Sequence, residues 1–473
     1  MKLTKTKILA TIGPACSSPE ILEKMILEGV NLCRLNFSHG SHEDHLKVIQ
    51  NIRMINEKLG TNIAIIADLQ GPKLRVGEIE NNSIKLINGE ILNIVTNYCI
   101  GTTKKISVSY PQLPRDVKKG ARILIDDGKI QLEVIETNQK DLVKTIVLNG
   151  GILSSRKGVN LPNTKISQPS LTSKDILDAE FALKHDVDWI ALSFVRSATD
   201  IADLRDIVKK QKKSTRVIAK IEKPEALNEI DNIIDVSHGI MIARGDLGVE
   251  VSFDEVPMIQ KNIINKCINL AKPVIIATQM MESMIDNFRP TRAEASDVAN
   301  SVLDGADCLM LSGETSVGKF PVEVIKNMKQ IIYSTESKGL HYIREHFPTQ
   351  ISMSFLPDTI SYNASQMAEK GNATAIVSFT HSGYTTLRIS SHRPSAKIYA
   401  FTNNKKILNS LSILWGVRQF YVETYKDINE AINESIKILK KHKLIKDGDV
   451  VIHLGSIPLN HKGQTNMMKI SYA

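Results

Sequence analysis

The sequence predicts an α/β chain: a (β/α)8 barrel of the TIM type, broken once by an inserted β-barrel lid domain and followed by a C-terminal α/β domain. Three observations carry this. Strand-length apolar runs alternate with amphipathic stretches from the first residues. The rhythm lapses between about 71 and 171 into short runs divided by turn signals, then resumes. Polar residues interrupt the apolar runs mainly at their C-terminal ends, the rim where such barrels place their chemistry.

Residues 7–12 read as the first strand, and 18–28 as a helix between a Ser-Pro-Glu start and Gly29. Residues 31–37 are a strand, 42–59 a helix and 63–69 the third strand. The intervening segment carries Asn81-Asn82, Asn88-Gly89, Asp126-Asp127-Gly128 and Asn149-Gly150-Gly151, the punctuation of an all-β unit. From Ser173 the strands are 189–195, 217–222, 240–246, 274–279 and 308–312, each followed by a helical stretch. Three strands before the break and five after it make the eight of a closed barrel. Beyond about 340 come a helix at 359–370, strands at 375–380, 397–402 and 417–422, a helix at 428–442, and strands at 450–454 and 467–472. The expected domains are 1–70 with 172–340, the insert 71–171, and 341–473.

Composition narrows the function. With 473 residues, 42% hydrophobic and 23% charged, the chain has ordinary globular content. No apolar run approaches a membrane span, and the basic N-terminus leads straight into a strand with no signal-peptide core. Five scattered cysteines without a CxxC pair point to reduced thiols and a cytoplasmic setting. The net charge of +9 favours anionic partners. Only 5% aromatic content, with no basic motif interleaved by aromatics, argues against nucleic acid and for phosphorylated metabolites.

The run Val217-Ile-Ala-Lys220-Ile-Glu222-Lys223 places a lysine and a glutamate on one side of a buried strand. Such charges are paired, or bind a metal or an anion. The next strand ends in Arg244, Gly245 and Asp246, so two neighbouring strand ends each bring a carboxylate, which suggests a divalent metal with an anionic substrate. The alternative is a structural ion pair across the barrel. The same polar tips recur at Arg34, Asn36 and Ser38, at Asp68, at Thr278 and at Ser312. Arg34, Arg75 and Lys220 suit a phosphoryl group.

Along essentially its whole length the chain resembles the pyruvate kinase family. The matching motifs include Thr11-Ile-Gly-Pro14, Arg34-Leu-Asn-Phe-Ser-His-Gly40, Lys157-Gly-Val-Asn-Leu-Pro162, Ala219-Lys-Ile-Glu222, Ala243-Arg-Gly-Asp-Leu-Gly248, Ala277-Thr-Gln-Met280, Pro290-Thr-Arg-Ala-Glu294 and Leu311-Ser-Gly-Glu-Thr315. The resemblance implies the last step of glycolysis, phosphoenolpyruvate plus ADP giving pyruvate plus ATP. It implies Lys220 as the group that stabilises the phosphoryl in flight, and Glu222 and Asp246 as Mg²⁺ ligands, with Mn²⁺ as a substitute. Arg34, Lys220, Gly245, Asp246 and Thr278 would contact substrate. Asn36, His39, Arg75 and Lys157 would meet the nucleotide, and Ser312 would sit in the proton relay. Asn36, Ser38, Asp68 and the Leu69 carbonyl match a monovalent-cation site. A homotetramer is also implied.

Two departures sharpen this. Asp68-Leu-Gln-Gly-Pro-Lys73-Leu-Arg-Val76 resembles the potassium-independent branch, with the Lys73 ammonium replacing a bound cation and K⁺ not required. Thr380-His-Ser382-Gly383-Tyr-Thr385 is similar to the family's effector loop, whereas residues 455–463 lack the arginine and tryptophan of members activated by fructose 1,6-bisphosphate. A sugar monophosphate or AMP is the expected activator. Two rival readings remain at this point. A Mg²⁺-dependent aldolase or lyase would not need the converging cations, and a catalytically dead sensor would not keep Lys220, Glu222 and Asp246.

Overall fold

The computed structural model describes residues 4–338, 344, 346–348, 354–423, 425–458 and 465–473. Eight parallel strands close into a barrel: Lys7–Thr11, Leu32–Asn36, Ala64–Asp68, Trp189–Leu192, Arg216–Ile221, Gly239–Ala243, Val274–Ala277 and Cys308–Leu311. Each pairs with its sequence neighbours, and the first closes on the eighth through Lys7↔Cys308 to Ala10↔Leu311. The alternation of a strand sorts its side chains. Ile8 and Ala10 pack outward against the helices, while Leu9 turns into the barrel with Leu32, Ile66, Trp189, Ile218 and Met241. That inner layer runs on into the C-terminal domain through Leu411 and Ile413, and the Trp189 indole N–H donates to the Ser410 carbonyl at 3.2 Å.

Local chemistry sets the helix ends. Ser18 caps Pro19–Glu28, whose chain leaves through Gly29. His42–Leu59 starts on a Ser41/Asp44 capping box and stops at Gly60 in the left-handed region, φ 62°.

Several strands stop earlier than the apolar pattern suggests, because the backbone turns sharply at the rim. Phe194 sits at φ 55°, and Thr278 and Gln279 at φ 69° and 54°. Left-handed φ in bulky or β-branched residues costs on the order of 1–2 kcal/mol each, and such strain gathers at functional sites. The sixth strand also ends early. Arg244, Gly245 and Asp246 form the first turn of a short helix, Arg244–Glu250, rather than a strand tip.

The insert after the third strand is built of β-strands with one short α-helix, Leu113–Asp116. A six-stranded sheet runs in the order Val159–Asn160, Arg122–Ile125, Ile130–Thr137, Leu142–Asn149, Ile91–Val95, Lys105–Ser107, beside a two-stranded sheet of Ser83–Leu86 and Gly151–Ser154. The expected β-barrel closes only loosely. The sheet's two edges meet through single bridges, Arg75–Gly158 and Val76–Val108, made by the incoming chain. The C-terminal domain is a five-stranded sheet in the order Val417–Tyr421, Lys397–Thr402, Ala375–Phe379, Val450–Gly455, Met467–Tyr472, parallel except for the last strand. No helix among the described residues is long and apolar enough to cross a membrane.

Candidate active site

At the C-terminal rim four predicted residues form one buried network. Lys220 Nζ lies 3.1 Å from Asp68 Oδ1 and 2.9 Å from Glu222 Oε1. Asp68 Oδ2 accepts from Arg34 Nε at 2.6 Å, and Arg34 also donates to the Thr11 hydroxyl at 3.0 Å. The side chain of Asp68 is 1% exposed and that of Lys220 10%. Burial alone would raise Asp68, but the Lys220 ammonium and the Arg34 guanidinium hold it below its usual value. Burial raises Glu222, the nearby Asp246 charge adding to it and Lys220 opposing it. Lys220 is raised despite burial, because Asp68 and Glu222 both favour its charged form. The structural ion pair weighed from the sequence therefore exists, and it belongs to the rim site.

Two strained residues complete the frame. The Phe194 N–H donates to Glu222 Oε2 at 2.9 Å. Thr278 Oγ1 accepts the Gly245 N–H at 2.7 Å, with only 3.2 Å between that hydroxyl and a side-chain carbon built on Gly245. Both left-handed turns thus aim groups at the strand ends. Arg244 is not free for an anion. It pairs with Asp297 at 2.7 Å and donates to the Thr278 carbonyl at 3.0 Å, buttressing the turn that carries Asp246.

Asp246 makes no hydrogen bond or ion pair among the described residues, yet its charge is felt by both Lys220 and Glu222. An unpaired carboxylate beside a second one fits a hard divalent cation with few protein ligands. No group of three or more His, Cys, Asp or Glu side chains placed to hold a metal occurs among the described residues.

The monovalent-cation set is placed together, but the oxygens of Asp68, Leu69 and Asn36 are engaged. Both Asp68 oxygens meet protein cations, the Leu69 carbonyl accepts the Ser193 hydroxyl at 2.7 Å, and Asn36 Oδ1 accepts the Ser38 N–H at 3.1 Å. Lys73 lines a cleft between insert and barrel with Asp246, Lys223 and Arg196. His39 is exposed on the second strand's loop. Burial lowers its pKa, and Arg75, Lys73 and Arg34 lower it further, so these cations face one space.

Other predicted residues stand apart. Lys157 is held within the insert by Asp126 at 2.9 Å, and the Arg75 guanidinium donates to the Arg156 carbonyl at 3.1 Å. The Ser312 N–H donates to Glu314 Oε2 at 2.7 Å, and burial raises the Glu314 carboxyl. The Thr380 to Thr385 loop opens the helix Tyr384–Ser391, with Gly383 at φ 86°. Its hydroxyls are largely committed: Thr380 Oγ1 accepts the Gly383 N–H at 2.9 Å, Ser382 Oγ accepts the Tyr384 N–H at 3.4 Å, and Thr385 bonds to Thr465. Of the 455–463 segment, residues 459–463 lie outside the described residues.

Sequence reasoning missed Ser193, which donates to the Leu69 carbonyl and accepts from Lys220 Nζ at 2.7 Å. The signal was present, since Ser193 interrupts the fourth apolar run as Lys220 interrupts the fifth. It also missed Lys223, whose ammonium meets Glu250 at 2.6 Å while Asn160 of the insert donates to the same carboxylate oxygen at 2.9 Å.

Comparison with known proteins fits this geometry. The family model "Pyruvate kinase, barrel domain" matches residues 3–325, and "Pyruvate kinase, alpha/beta domain" matches 358–471. The chain belongs to the pyruvate kinase family. The pyruvate kinase of Geobacillus stearothermophilus is 43% identical over 468 residues, covering 98% of this chain and 80% of the relative. That of Sporosarcina psychrophila is 41% identical over 470 residues, covering 99% and 80%. A solved pyruvate kinase structure from Cryptosporidium parvum superposes with a TM-score of 0.93 at 37% identity, covering 99% of this chain and 96% of that one. As a pyruvate kinase family member the protein is a phosphotransferase, with the barrel, inserted β-domain and C-terminal α/β domain described above.

Proposed function

We propose that the protein transfers the phosphoryl group of phosphoenolpyruvate to ADP, yielding pyruvate and ATP, at the rim network around Lys220. The observation that carries this is that two fixed cations, Lys220 and Arg34, and an unpaired carboxylate, Asp246, meet at one end of the barrel. Phosphoryl transfer needs charge neutralisation and alignment rather than covalent help from the protein. Lys220, kept protonated by its two carboxylates, stabilises the charge on the phosphoryl oxygens in flight. Arg34 binds the donor, and Thr278 holds the Gly245 turn against it. Ser312 belongs to the relay that delivers a proton to the pyruvate carbon, beside the buried Glu314.

Glu222 and Asp246 would hold Mg²⁺, or Mn²⁺ in its place, which supplies positive charge to the donor's oxygens. Residues 71–171 act as a lid on the barrel formed by 1–70 and 172–340, with 341–473 as the regulatory domain. Closure brings Lys157 away from Asp126 to the nucleotide phosphates, joining Arg75, Asn36 and His39, and excludes water.

The protein works without potassium. The engaged oxygens of Asp68, Leu69 and Asn36, and Lys73 in the cleft beside Asp246, support this: a second cation would meet fixed positive charge in a low-dielectric pocket. A phosphorylated effector, a sugar monophosphate or AMP, binds at the N–H groups where the Thr380–Thr385 loop enters its helix. The working form is a cytoplasmic homotetramer.

The test is an assay of pyruvate formed from phosphoenolpyruvate and ADP with Mg²⁺, run at low phosphoenolpyruvate with and without ribose 5-phosphate, AMP and fructose 1,6-bisphosphate. Pyruvate formation dependent on both substrates supports the reaction, and its absence defeats it. Activation only by the bisphosphate defeats the effector assignment alone.

A further inference from the structure

Behind the carboxylates of Glu222 and Asp246 lies a second buried charge pair. Lys223 follows Glu222 directly in the chain, and Glu250 closes the helix Arg244–Glu250 one turn after Asp246. Their side chains are 6% and 1% exposed, and Lys223 Nζ stands 2.6 Å from Glu250 Oε1. Lys223 also lies over the Phe194 ring, 6.0 Å from its centre, and the Phe194 N–H is the donor on Glu222 Oε2. The pair thus joins the end of the fifth strand to the helix turn that follows the sixth.

A third partner comes from the insert. Asn160 Nδ2 donates to the same Glu250 oxygen at 2.9 Å, and Asn160 ends the short strand Val159–Asn160 that follows Lys157 and Gly158. A buried ion pair adds little net stability over apolar packing, because desolvation offsets the attraction. What it does supply is geometry, since a short charged hydrogen bond holds both side chains in one arrangement. Groups that orient metal ligands from behind change metal affinity about ten- to a hundredfold when they are removed.

We propose that Lys223 and Glu250 are positioning residues: their pair braces Glu222 against Asp246 at the spacing a divalent cation needs, and Asn160 docks the insert on that brace. This rests on the reading of Glu222 and Asp246 as metal ligands. Lys223 acts through Glu222, its neighbour in the chain, and Glu250 through Asp246, one helical turn away.

The test reads metal binding without turnover. Mn²⁺ is titrated into substrate-free, full-length protein, and the free ion is followed by its electron paramagnetic resonance signal. Glu250→Gln removes the charge partner of Lys223 but keeps an oxygen for Asn160, and its Mn²⁺ dissociation constant should rise about tenfold. Lys223→Met combined with Glu250→Leu fills the space with apolar groups. Its urea midpoint should stay near that of wild type while Mn²⁺ binding weakens to a similar degree. Asn160→Ala leaves the brace intact, so Mn²⁺ binding should hold, whereas the Michaelis constant for ADP should rise by a larger factor than turnover falls. Glu222→Gln and Asp246→Asn, run in the same titration, separate the two levels. If these two weaken Mn²⁺ binding while Glu250→Gln or the apolar pair binds it as wild type does, the brace is overturned and the metal site stands. If neither weakens it, both fall. An unchanged Michaelis constant for ADP in Asn160→Ala overturns the docking of the insert.

Discussion

Asp68 gives one carboxylate oxygen to Arg34 and the other to Lys220, at 2.6 and 3.1 Å, with its side chain 1% exposed. One buried anion thus fixes both cations of the rim. Arg34 comes from the second strand and Lys220 from the fifth, so the carboxylate ties together strands that do not pair directly.

Asp68→Asn leaves two buried cations with Glu222 as their remaining close anion. Breaking a buried pair from one side costs about 3–5 kcal/mol, and a loss of that order is expected in urea unfolding at neutral pH. The pH dependence has a definite sign. The Asp68 carboxyl is held below its ordinary 3.8, so its contribution is full above that value and disappears as pH falls through the depressed one. The stability gap between wild type and variant should therefore close only in acid below 3.8. A gap that closes already near neutrality would contradict this.

Lys220→Met removes the charge proposed to meet the phosphoryl group. Turnover should fall by about a hundred- to a thousandfold, as when a preorganised electrostatic contact is deleted. The circular dichroism spectrum should remain native, because Ile221 and Val217 keep the strand's outward packing. Near-normal turnover in this variant would remove Lys220 from the mechanism.

Glu222→Gln and Asp246→Asn should raise the Mg²⁺ concentration needed for half-maximal rate, with smaller effects on saturated turnover. The wild-type requirement should itself rise as pH is lowered. Burial raises Glu222, so protons compete with the metal at a higher pH than for an ordinary glutamate. A metal requirement independent of pH and of both substitutions would place the cation elsewhere.

Much of this site was legible because barrel strands advertise their tips. A buried parallel strand has no use for Arg34, Asp68, Lys220 or Glu222 unless they serve a site, and all four fall in one network. The rest depended on backbone that apolar pattern does not encode. The left-handed turns at Phe194 and Thr278 shorten two strands and aim groups at Glu222 and Gly245. Asp246 lies in a helix turn rather than at a strand tip, and Arg244 at the start of that turn pairs with Asp297. Ser193 stayed hidden because a serine after an apolar run is an ordinary strand ending. Lys157 shows a different limit: its motif resembles the family's, but its observed partner is Asp126 on its own domain.

The account turns on the claim that the protein's own cations fill the electrostatic place of a bound monovalent ion. The direct measurement is the rate of pyruvate formation with saturating Mg²⁺ and substrates, titrating KCl against tetramethylammonium chloride at constant ionic strength. The account predicts near-full activity with no potassium present and little change as KCl is added, and a Lys73→Glu variant that gains a potassium requirement. Many-fold activation of the wild-type protein by KCl would contradict it.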